Sequence, residues 1–491
     1  MTDTEVHALI PLFTALPLAA AFIVPLVAAK REAVADWLAN LTLLALVIIG
    51  VLTFGEQGLY EVGGWAAPIG IVLRLDPLAS LMLVSVAGVG LAAGLYSIDY
   101  MRQFTAKDRY YSLFLIMMDG MNGVILAGDL FNLYVMLEIA AIASYGLVAF
   151  GCRHEELEAS FKYAVLGTVS STFILIGVAL VYGVTGNLNL THIAARINDT
   201  GMSLPLLFAL ALFVGSFGLK SALVPFHAWL PDAHPSAPAP VSAMLSGVLI
   251  KAIGIYVLAR LIFNVFGAGD GVLTALRWLA VISMVAGSLL AMAQTDIKRL
   301  FAYSSISQVG YVVLGLGLGT PLGIVGALYH LVNHAAFKSL LFLNAGAVEY
   351  ATGSRDLGKL GGLNRALPVS GGTSLIASMS IAGIPPLNGF WSKLIIIVAA
   401  VEAGFIGFAI AAAVVSIVTL AYQLKVQRGA FFTDAPADMT IWRDEPRSMA
   451  LAMILLAVIC LALSLLVIGG LHDPLFIGPA VETLLAGPFA P

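Results

Sequence analysis

The sequence predicts an all-α polytopic membrane protein with about 14 transmembrane helices, including two inverted five-helix repeats that each contain a broken helix. The first observation is composition, because 60% of the 491 residues are hydrophobic and 11% are charged, against about 25% charged residues in a soluble domain. The second is that apolar runs of about eighteen or more residues recur along the whole chain. No stretch remains for a soluble catalytic domain, so any chemistry belongs inside the bilayer.

Hydropathy, read with about twenty residues per span, also predicts the domain organisation. We expect an N-terminal three-helix segment at 1–105, five-helix repeats at 106–265 and 266–430, and a C-terminal loop with the last helix at 431–491. The predicted helices lie near residues 7–29, 34–54, 76–99, 110–128, 130–151, 159–184, 204–227, 237–263, 273–293, 301–319, 321–350, 366–399, 403–427 and 448–469.

The chain start and the cysteines exclude several classes of protein. The first residues, MTDTEVHALIPLF, are acidic and lead into an apolar segment, unlike the basic start of a cleaved signal peptide, so we expect the first span to remain. Two cysteines, Cys152 in a loop and Cys460 in the last span, are too few for a metal cluster or a disulfide framework. No basic stripe suggests nucleic acid, and we expect no cofactor and no redox centre.

Basic residues in the loops predict the orientation. Of the 24 lysines and arginines, 16 lie in loops or near the ends of spans on one side of the predicted bundle and 4 on the other. The positive-inside rule then predicts an even number of spans with both termini on the outer side of a prokaryotic plasma membrane. The larger group is Lys30, Arg31, Arg102, Lys107, Arg109, Arg153, Lys162, Lys298, Arg299, Arg355, Lys359, Arg365, Lys425, Arg428, Arg443 and Arg447. The smaller group is Arg74, Arg196, Arg260 and Arg277.

The four remaining basic residues are all lysines inside predicted spans: Lys220, Lys251, Lys338 and Lys393. A lysine at the bilayer centre costs roughly 2.5–3.5 kcal/mol unless it pairs, faces water or extends to the membrane surface. Glu138, near the middle of its span, needs a cation from another helix, and one of these lysines is the natural partner. Lysine, unlike arginine, can release its proton when buried. We therefore predict proton relay sites; an anchor at a helix end is the alternative for each lysine.

Histidines add to this pattern in HLVNHAAFKSLLF. His330, His334 and Lys338 are spaced four apart, which puts all three within roughly 80° of one helix face. Histidine titrates near neutral pH and can pass a proton through either ring nitrogen. Zinc binding, the other use of a histidine pair, lacks carboxylate or cysteine ligands nearby. Asp119, between glycines in LIMMDGMNG, indicates either close packing or a water pocket.

Prolines interrupt two of the spans that carry lysines. Pro225 and Pro231 follow Lys220, and the pair Pro385 and Pro386 precedes Lys393. Proline removes a helix hydrogen bond and clashes with the preceding turn. Irregular backbone at membrane depth is tolerated where it is buried or lines a hydrated cavity. Two such breaks, in the seventh and twelfth predicted spans, favour an inverted-repeat transporter. A packing kink is the alternative for each break.

Four stretches resemble the antiporter-like subunits of the complex I superfamily over roughly residues 70–430: KSALVPFHAWLPDAHPSAPAPVSAMLSGVLIK, YSSISQVGY, NHAAFKSLLFL and GIPPLNGFWSK. The family includes the D subunits of Mrp-type Na⁺/H⁺ antiporters, the L, M and N subunits of NADH:quinone oxidoreductase, and subunits of membrane-bound nickel–iron hydrogenases. The resemblance implies that Glu138 and Lys220 are the Glu–Lys pair of the fifth and seventh helices. It implies further that Lys251 is the lysine of the eighth helix and that Lys393 is the exit residue of the broken twelfth. The central relay of the eleventh helix would be His330, His334 and Lys338.

Two departures narrow the resemblance. The sequence stops soon after the fourteenth span, without the long lateral helix of L-type subunits, and it has Lys393 where M-type subunits have Glu. These differences favour the D, N or hydrogenase type. The stretch PFHAWLPDAH, however, is closer to the sequences of hydrogenase and M-type subunits. The sequence therefore does not decide which complex contains this subunit.

The resulting hypothesis is a proton-translocating subunit that works with other membrane subunits, including further antiporter-like ones. Sodium is a weaker candidate for the axis, because a hard cation prefers oxygen ligands and is repelled by ammonium groups. The alternative is a stand-alone carrier whose broken helices bind an anionic solute. An intramembrane enzyme would need a nucleophile with its base or a metal set, and the sequence offers no convincing one.

Overall fold

The structure is a computed structural model that describes residues 3–28, 32–437, 439–471 and 476–489. Lys30 and Arg31, which contribute to the predicted orientation, lie outside the described residues. The described helices are α1 Asp3–Leu9, α2 Leu12–Ala28, α3 Glu32–Leu52, α4 Pro77–Tyr100, α5 Lys107–Leu126, α6 Leu130–Val148, α7 His154–Thr185, α8 Leu190–Thr200, α9 Leu204–Lys220, α10 Leu230–Ser236, α11 Ala239–Met244, α12 Val257–Ala259, α13 Asp270–Ala293, α14 Ile297–Leu318, α15 Pro321–Thr352, α16 Leu363–Ala366, α17 Pro368–Ala382, α18 Asn388–Glu402, α19 Ile406–Val426, α20 Arg447–Ser464 and α21 Gly478–Leu485.

The fold confirms a mostly helical, multi-pass membrane protein. Among the described residues, ten helical segments are long and apolar enough to cross a membrane. The predicted count of fourteen therefore stays a prediction. A small antiparallel hairpin of β1 Gly58–Glu61 and β2 Val72–Leu75 accompanies the helices. This hairpin leads into Asp76, whose side chain accepts a hydrogen bond from Ala79 N and caps α4.

Two helices lie at the centre of the bundle. The segment from α11 through α12 to Phe266 is buried along its whole length, and α14 is buried almost as completely. Helix α15, 32 residues long, packs against both α14 and α18. Residues 245–249 and 251–256 are π-helical, a conformation that occurs often at functional sites.

The spacing of helices repeats along the chain. Helix α15 begins and ends 167 positions after α7, and α14 begins 167 positions after α6. The caps repeat with the same spacing, because Asp129 and Asp296 cap α6 and α14, while Gly186 and Gly353 end α7 and α15 in the left-handed conformation. Asp129 and Asp296 also form isolated antiparallel bridges, with Asn189 and Asp356 respectively. This is the pattern that an internal repeat predicts.

Both predicted broken helices are present. Helix α9 ends at Lys220 and α10 begins at Leu230, while α17 ends at Ala382 and α18 begins at Asn388. Pro225, Pro385 and Pro386 lie in the turns between these helices. Gly389 is required at the second turn, since a Cβ there would lie 1.8 Å from the Ser380 carbonyl oxygen.

One of the predicted break residues is placed differently. Pro231 occupies the first turn of α10 rather than the interrupted backbone. Its missing N–H costs nothing at that position, because the first N–H groups of a helix have no partner within the helix. Pro231 therefore begins a helix.

Candidate functional site

Glu138 and Lys220 form an ion pair between α6 and α9. The Lys220 Nζ atom lies 3.7 Å from Glu138 Oε1. Ser171 of α7 lies between them, because Lys220 Nζ donates a 3.0 Å hydrogen bond to its hydroxyl, which in turn donates to Glu138 Oε1. Lys220 is buried and Glu138 is 24% exposed. The prediction that Glu138 pairs with a lysine from another helix is confirmed.

Lys251 lies in the π-helical part of the central segment. Its Nζ atom donates to the carbonyl oxygens of Ser246, at 2.6 Å, and Gly247. It is buried within the bundle. Gly247 also permits α15 to approach closely, since a Cβ there would meet the Ser339 hydroxyl at 2.0 Å. The ammonium group is thus held by backbone oxygens of its own helix.

Lys338 is fully buried in the middle of α15. Its Nζ atom donates to the hydroxyl of Ser304 in α14. The same ammonium group lies 5.6 Å from the centroid of the Phe301 ring and 5.9 Å from that of Phe342. The ammonium group therefore has one hydroxyl and two aromatic rings as neighbours.

The two histidines lie on the same face of α15, as predicted. Their ring centroids are 6.3 Å apart. His330 Nδ1 is 2.9 Å from the Ser392 hydroxyl, while His330 Nε2 and both nitrogens of His334 have no hydrogen-bond partner within the described part of the chain. His334 lies within electrostatic range of Lys251 and Lys338. Unpartnered ring nitrogens in a buried site suit ordered water molecules.

Lys393 lies in the first turns of α18, beside the second break. Its Nζ atom donates to the Ile381 carbonyl oxygen at 2.7 Å and to the Ser416 hydroxyl at 3.4 Å. It also lies 4.8 Å from the centroid of the Tyr311 ring. The Ile381 carbonyl is one of the last in α17, so the broken helix directs its negative end towards the lysine.

The seven predicted residues thus form two groups. Lys251, His334, His330, Lys338 and Lys393 cluster around α15, whereas Glu138 and Lys220 form a separate pair. Within the described ranges, no hydrogen bond or ion pair joins that pair to Lys251.

Sequence reasoning missed the hydroxyl groups that contact these charges, because serine carries no signal in an apolar helix. It also missed His234 of α10. That ring is fully buried between Trp229 and Phe342, and neither nitrogen has a partner among the described residues. His234 lies within electrostatic range of Lys338 and Lys251. His234 lies in the stretch PDAHPSAPAP, shortly after Lys220 in the sequence. That position close to a predicted site residue was the one sequence feature that could have indicated it.

Asp119 of α5 is buried, and neither carboxylate oxygen has a partner within the described residues. An unpartnered carboxylate is costly in an apolar interior, so this placement favours the water pocket over simple packing. In the part of the chain that the structure describes, no group of three or more His, Cys, Asp or Glu side chains could hold a metal ion.

Two family models match the sequence. The first, described as NADH:quinone oxidoreductase/Mrp antiporter, TM, matches residues 127–419. The second, NADH-Ubiquinone oxidoreductase (complex I), chain 5 N-terminus, matches residues 62–114. The first model includes every residue of the predicted proton route and both predicted helix breaks.

Similar proteins span most of the chain. The N subunit of the NADH-quinone oxidoreductase of Desulforudis audaxviator is 39% identical over 397 residues, which cover 80% of this chain and 79% of that protein. The D subunit of the Na(+)/H(+) antiporter of Alkalihalophilus pseudofirmus is 35% identical over 418 residues, which cover 85% and 83%.

Solved structures agree with these relatives. A chain of the Mrp complex from Dietzia sp. DQ12-45-1b superposes with a TM-score of 0.91 at 30% identity, over 98% of both chains. A chain of the archaeal membrane-bound sulfane sulfur reductase gives a TM-score of 0.89 at 31% identity, over 98% of this chain and 99% of that one.

Fold and relatives define the same class, the multi-pass subunits of membrane antiporter and respiratory complexes. Within that class, the chain belongs to the NADH:quinone oxidoreductase/Mrp antiporter family. The resemblance of its four signature stretches is thereby confirmed.

Proposed function

We propose that this chain is a proton-translocating antiporter-like subunit of a multi-subunit membrane complex. The observation that carries the proposal is the burial of Lys220, Lys251 and Lys338 inside the helix bundle, with His330 and His334 buried beside them. Charged groups in such a setting are costly and therefore rare, and those that are present mark functional sites. The row offers groups that take up and release protons, and Lys393 extends it to the second broken helix.

Proton movement along the row would be coupled by charge. Protons enter near Glu138 and Lys220, move through the central residues and leave by Lys393. Because like charges repel, a proton bound at one site disfavours protonation of the next. Water is required between Lys220 and Lys251. Coupling of this kind acts between sites without large helix movements.

Partner subunits are supported by the surface of α6. Glu138 shares one side of this helix with Phe131, Val135 and Ile142, all of which are exposed. A partly exposed carboxylate near the middle of an apolar helix is costly against lipid. We therefore propose that another membrane subunit covers this side of α6. The similar proteins named above are themselves subunits, and the similar structures are complexes.

We also propose the predicted location, domains and coupling. The membrane is the prokaryotic plasma membrane, with both termini outside, in accord with the predominance of basic loops on one side. The equal spacing of helices supports repeats at 106–265 and 266–430, between the segments 1–105 and 431–491. The driving process is redox chemistry or Na⁺ exchange in partner subunits, in line with the names of the relatives.

The test uses the whole complex reconstituted in liposomes, with proton movement followed by a pH-sensitive dye. Lys220→Arg keeps the charge but cannot release a proton, so we expect it to abolish pumping as fully as Lys220→Ala. Lys162→Arg, at an exposed lysine outside the bundle core, is the matched control and should pump normally. Normal pumping by either Lys220 variant would remove this residue from the route. Solute-dependent transport by the isolated chain would instead support the anion-carrier alternative.

A further inference from the structure

An open groove lies on the surface of the bundle between α17 and α19, and none of the residues of the proposed proton route lines it. We name it the α17–α19 groove. Its volume is about 720 Å³. One end is basic, because Lys425 and Arg428 line it, and the rest of the lining is largely apolar. The groove thus combines a surface for hydrocarbon with two cationic groups.

The apolar wall of the groove is formed by exposed side chains. Leu375 of α17 is 39% exposed, Leu424 of α19 is 49% exposed and Phe432 is 59% exposed. Met379 lies about one turn further along α17 and continues the wall. Large exposed apolar side chains that are grouped in this way mark a surface that contacts lipid or another protein.

The basic end of the groove lies where α19 ends. This helix ends at Val426 and continues as a π-helical turn, Gln427–Phe432. Lys425 and Arg428 both belong to the larger group of basic residues, so this end lies on the face that carries most of them. Among the described residues that line the groove, none is an aspartate or a glutamate. The groove therefore has a net positive charge.

Both cations have N–H groups free to bind an anion. The backbone carbonyl of Arg428 accepts a 2.7 Å hydrogen bond from the Thr433 hydroxyl, but its exposed guanidinium makes no hydrogen bond or ion pair within the described part of the chain. Lys425 Nζ donates to the Met292 and Gln294 carbonyl oxygens at 3.0 and 2.7 Å, and an ammonium group has a third N–H. Residues three apart on a helix are neighbours, so one anion can contact both cations.

The dimensions of the groove match a lipid in the adjacent leaflet. Seven residues separate Arg428 from Ala421, the lining residue furthest from it along α19, which is a distance of roughly 10 Å. The hydrocarbon of one leaflet is about 15 Å thick. With the cations at the level of the headgroups, the apolar wall extends through much of that leaflet.

We propose that the α17–α19 groove is a binding site for an anionic phospholipid, with the phosphate at Lys425 and Arg428 and an acyl chain along the apolar wall. Basic pockets between membrane-spanning helices bind anionic headgroups, and a guanidinium binds phosphate through two parallel N–H groups. Charge selects the occupant, because a zwitterionic lipid brings a further cation to a site that already holds two.

The bound lipid would also affect the packing of the second repeat. An acyl chain in the groove contacts α17, which is the first half of the second broken helix, and α19. Lys425 in addition connects α19 to the end of α13. A ligand that binds the folded protein and not the unfolded chain stabilises the folded protein. The proposal therefore predicts that an anionic lipid raises the thermal stability of the complex.

A neighbouring groove provides an internal comparison. It lies between α17 and α20 and has a volume of about 330 Å³. Ile454 and Val458 of α20 line it, and no lysine or arginine is among its described lining residues. We expect acyl chains to enter this second groove without any preference for the charge of the headgroup.

The first test locates bound lipid in the complete, purified and delipidated complex. Phosphatidylglycerol or phosphatidylcholine, each with a diazirine in one acyl chain, is added at equal concentration and irradiated. The diazirine loses N₂, and the carbene that forms inserts into nearby C–H bonds. Mass spectrometry of peptides then measures labelling of Ala421 and Leu424 in the α17–α19 groove, and of Ile454 and Val458 in the comparison groove.

We expect phosphatidylglycerol to label α19 at least about fivefold more than phosphatidylcholine, and both lipids to label α20 equally. Arg428→Gln should lower the labelling of α19 by phosphatidylglycerol about fivefold, because one cation is lost. Arg109→Gln, at an exposed basic residue of the same predicted face, is the matched control and should label as the wild type does. Equal labelling of α19 by both lipids in the wild type would overturn the proposal. Absence of labelling there would overturn it too, and would indicate that a partner subunit covers the groove.

The second test compares thermal midpoints of the complex in detergent. Phosphatidylglycerol should raise the midpoint of the wild type and of Arg109→Gln more than phosphatidylcholine does. This difference should be lost in Arg428→Gln, which breaks no contact within the described residues, and in Lys425→Gln. A difference that persists in both of these variants would overturn the proposal. Neither test measures proton movement, so the outcome is independent of the proposed function.

Discussion

Serine hydroxyls connect several buried charges of this protein to their surroundings. Ser171 contacts both Glu138 and Lys220, and Ser304 contacts Lys338. A hydroxyl donates one hydrogen bond while it accepts others, so it can lie between an ammonium group and a carboxylate without adding charge. These serines therefore position the groups that carry charge.

The first prediction concerns Ser171→Ala. Hydrogen bonds to charged groups contribute about 1.5–3 kcal/mol, so we expect the proton flux of the reconstituted complex to fall about tenfold or more. Thr172→Ala is the control, because Thr172 bonds only to its own helix at an exposed position. An unchanged flux in Ser171→Ala, with the protein assembled, would show that direct contact between Glu138 and Lys220 suffices.

At the scale of elements, two prolines in α2 determine how it packs on α5. A proline at position i leaves the carbonyl of residue i−4 without its helix partner. Pro17 and Pro25 thereby free the carbonyls of Phe13 and Ala21. Polar side chains of α5 take both, because Asn122 Nδ2 donates to Phe13 O at 2.8 Å and the Ser112 hydroxyl donates to Ala21 O at 2.7 Å. Side-chain hydrogen bonds therefore join α5 to α2 at both carbonyls that the prolines leave free.

The second prediction uses this match. Asn122→Leu leaves the Phe13 carbonyl unpaired in an apolar interior, which should lower stability by roughly 1–3 kcal/mol. Pro17→Ala supplies a backbone N–H for the same carbonyl, so the double variant should recover most of the loss. The thermal midpoints of the wild-type, the two single variants and the double variant in detergent provide the measurement. Additive effects of the two substitutions would contradict the assignment.

Corresponding helices of the two repeats carry different chemistry. Because the spacing is 167 positions, Ser171 of α7 corresponds to Lys338 of α15, and Glu138 of α6 corresponds to Ser305 of α14. At these two positions the first repeat has the carboxylate of Glu138 and the hydroxyl of Ser171. The second repeat has the hydroxyl of Ser305 and the ammonium group of Lys338. Equivalent positions on similar helices therefore carry different chemical groups.

At the scale of the whole molecule, Arg260 joins distant parts of the chain. Its guanidinium pairs with Asp76, the cap of α4, and bonds to Asn264 at 3.3 Å. Asn264 Nδ2 in turn donates to the Thr483 and Gly487 carbonyl oxygens, each at 2.9 Å. The β-hairpin region, the central helix and the C-terminal segment are therefore connected through one buried ion pair.

The third prediction compares two Arg–Asp pairs. Asp76→Asn keeps the helix cap but leaves Arg260 without a buried counter-charge, a change that costs about 3–5 kcal/mol. Asp270→Asn removes the partner of Arg277, but Asp270 is 93% exposed, so the cost is about 0–1 kcal/mol. Thermal unfolding of the purified complex should show a much larger fall for Asp76→Asn. Similar falls in both variants would refute a structural role for the buried pair.

The sequence by itself determined the membrane class, the approximate position of most helices, the two breaks and the buried charged residues. These features follow from local causes: the length of apolar runs, the backbone chemistry of proline, and the free-energy cost of placing a charge in the apolar interior of the membrane. Because an unpaired charge in the membrane interior is costly, the sequence also predicted that Glu138 pairs with a lysine on another helix.

Tertiary structure alone decided which lysine pairs with Glu138, that the pair lies apart from the cluster around α15, and that serines and His234 lie beside the charges. Uncharged polar side chains are common in membrane helices and carry little signal. Their role depends on which helix faces they meet, and that is fixed by the packing of segments far apart in the chain. The short hairpin before α4 and the pairing of Arg260 with Asp76 depend on long-range contacts for the same reason.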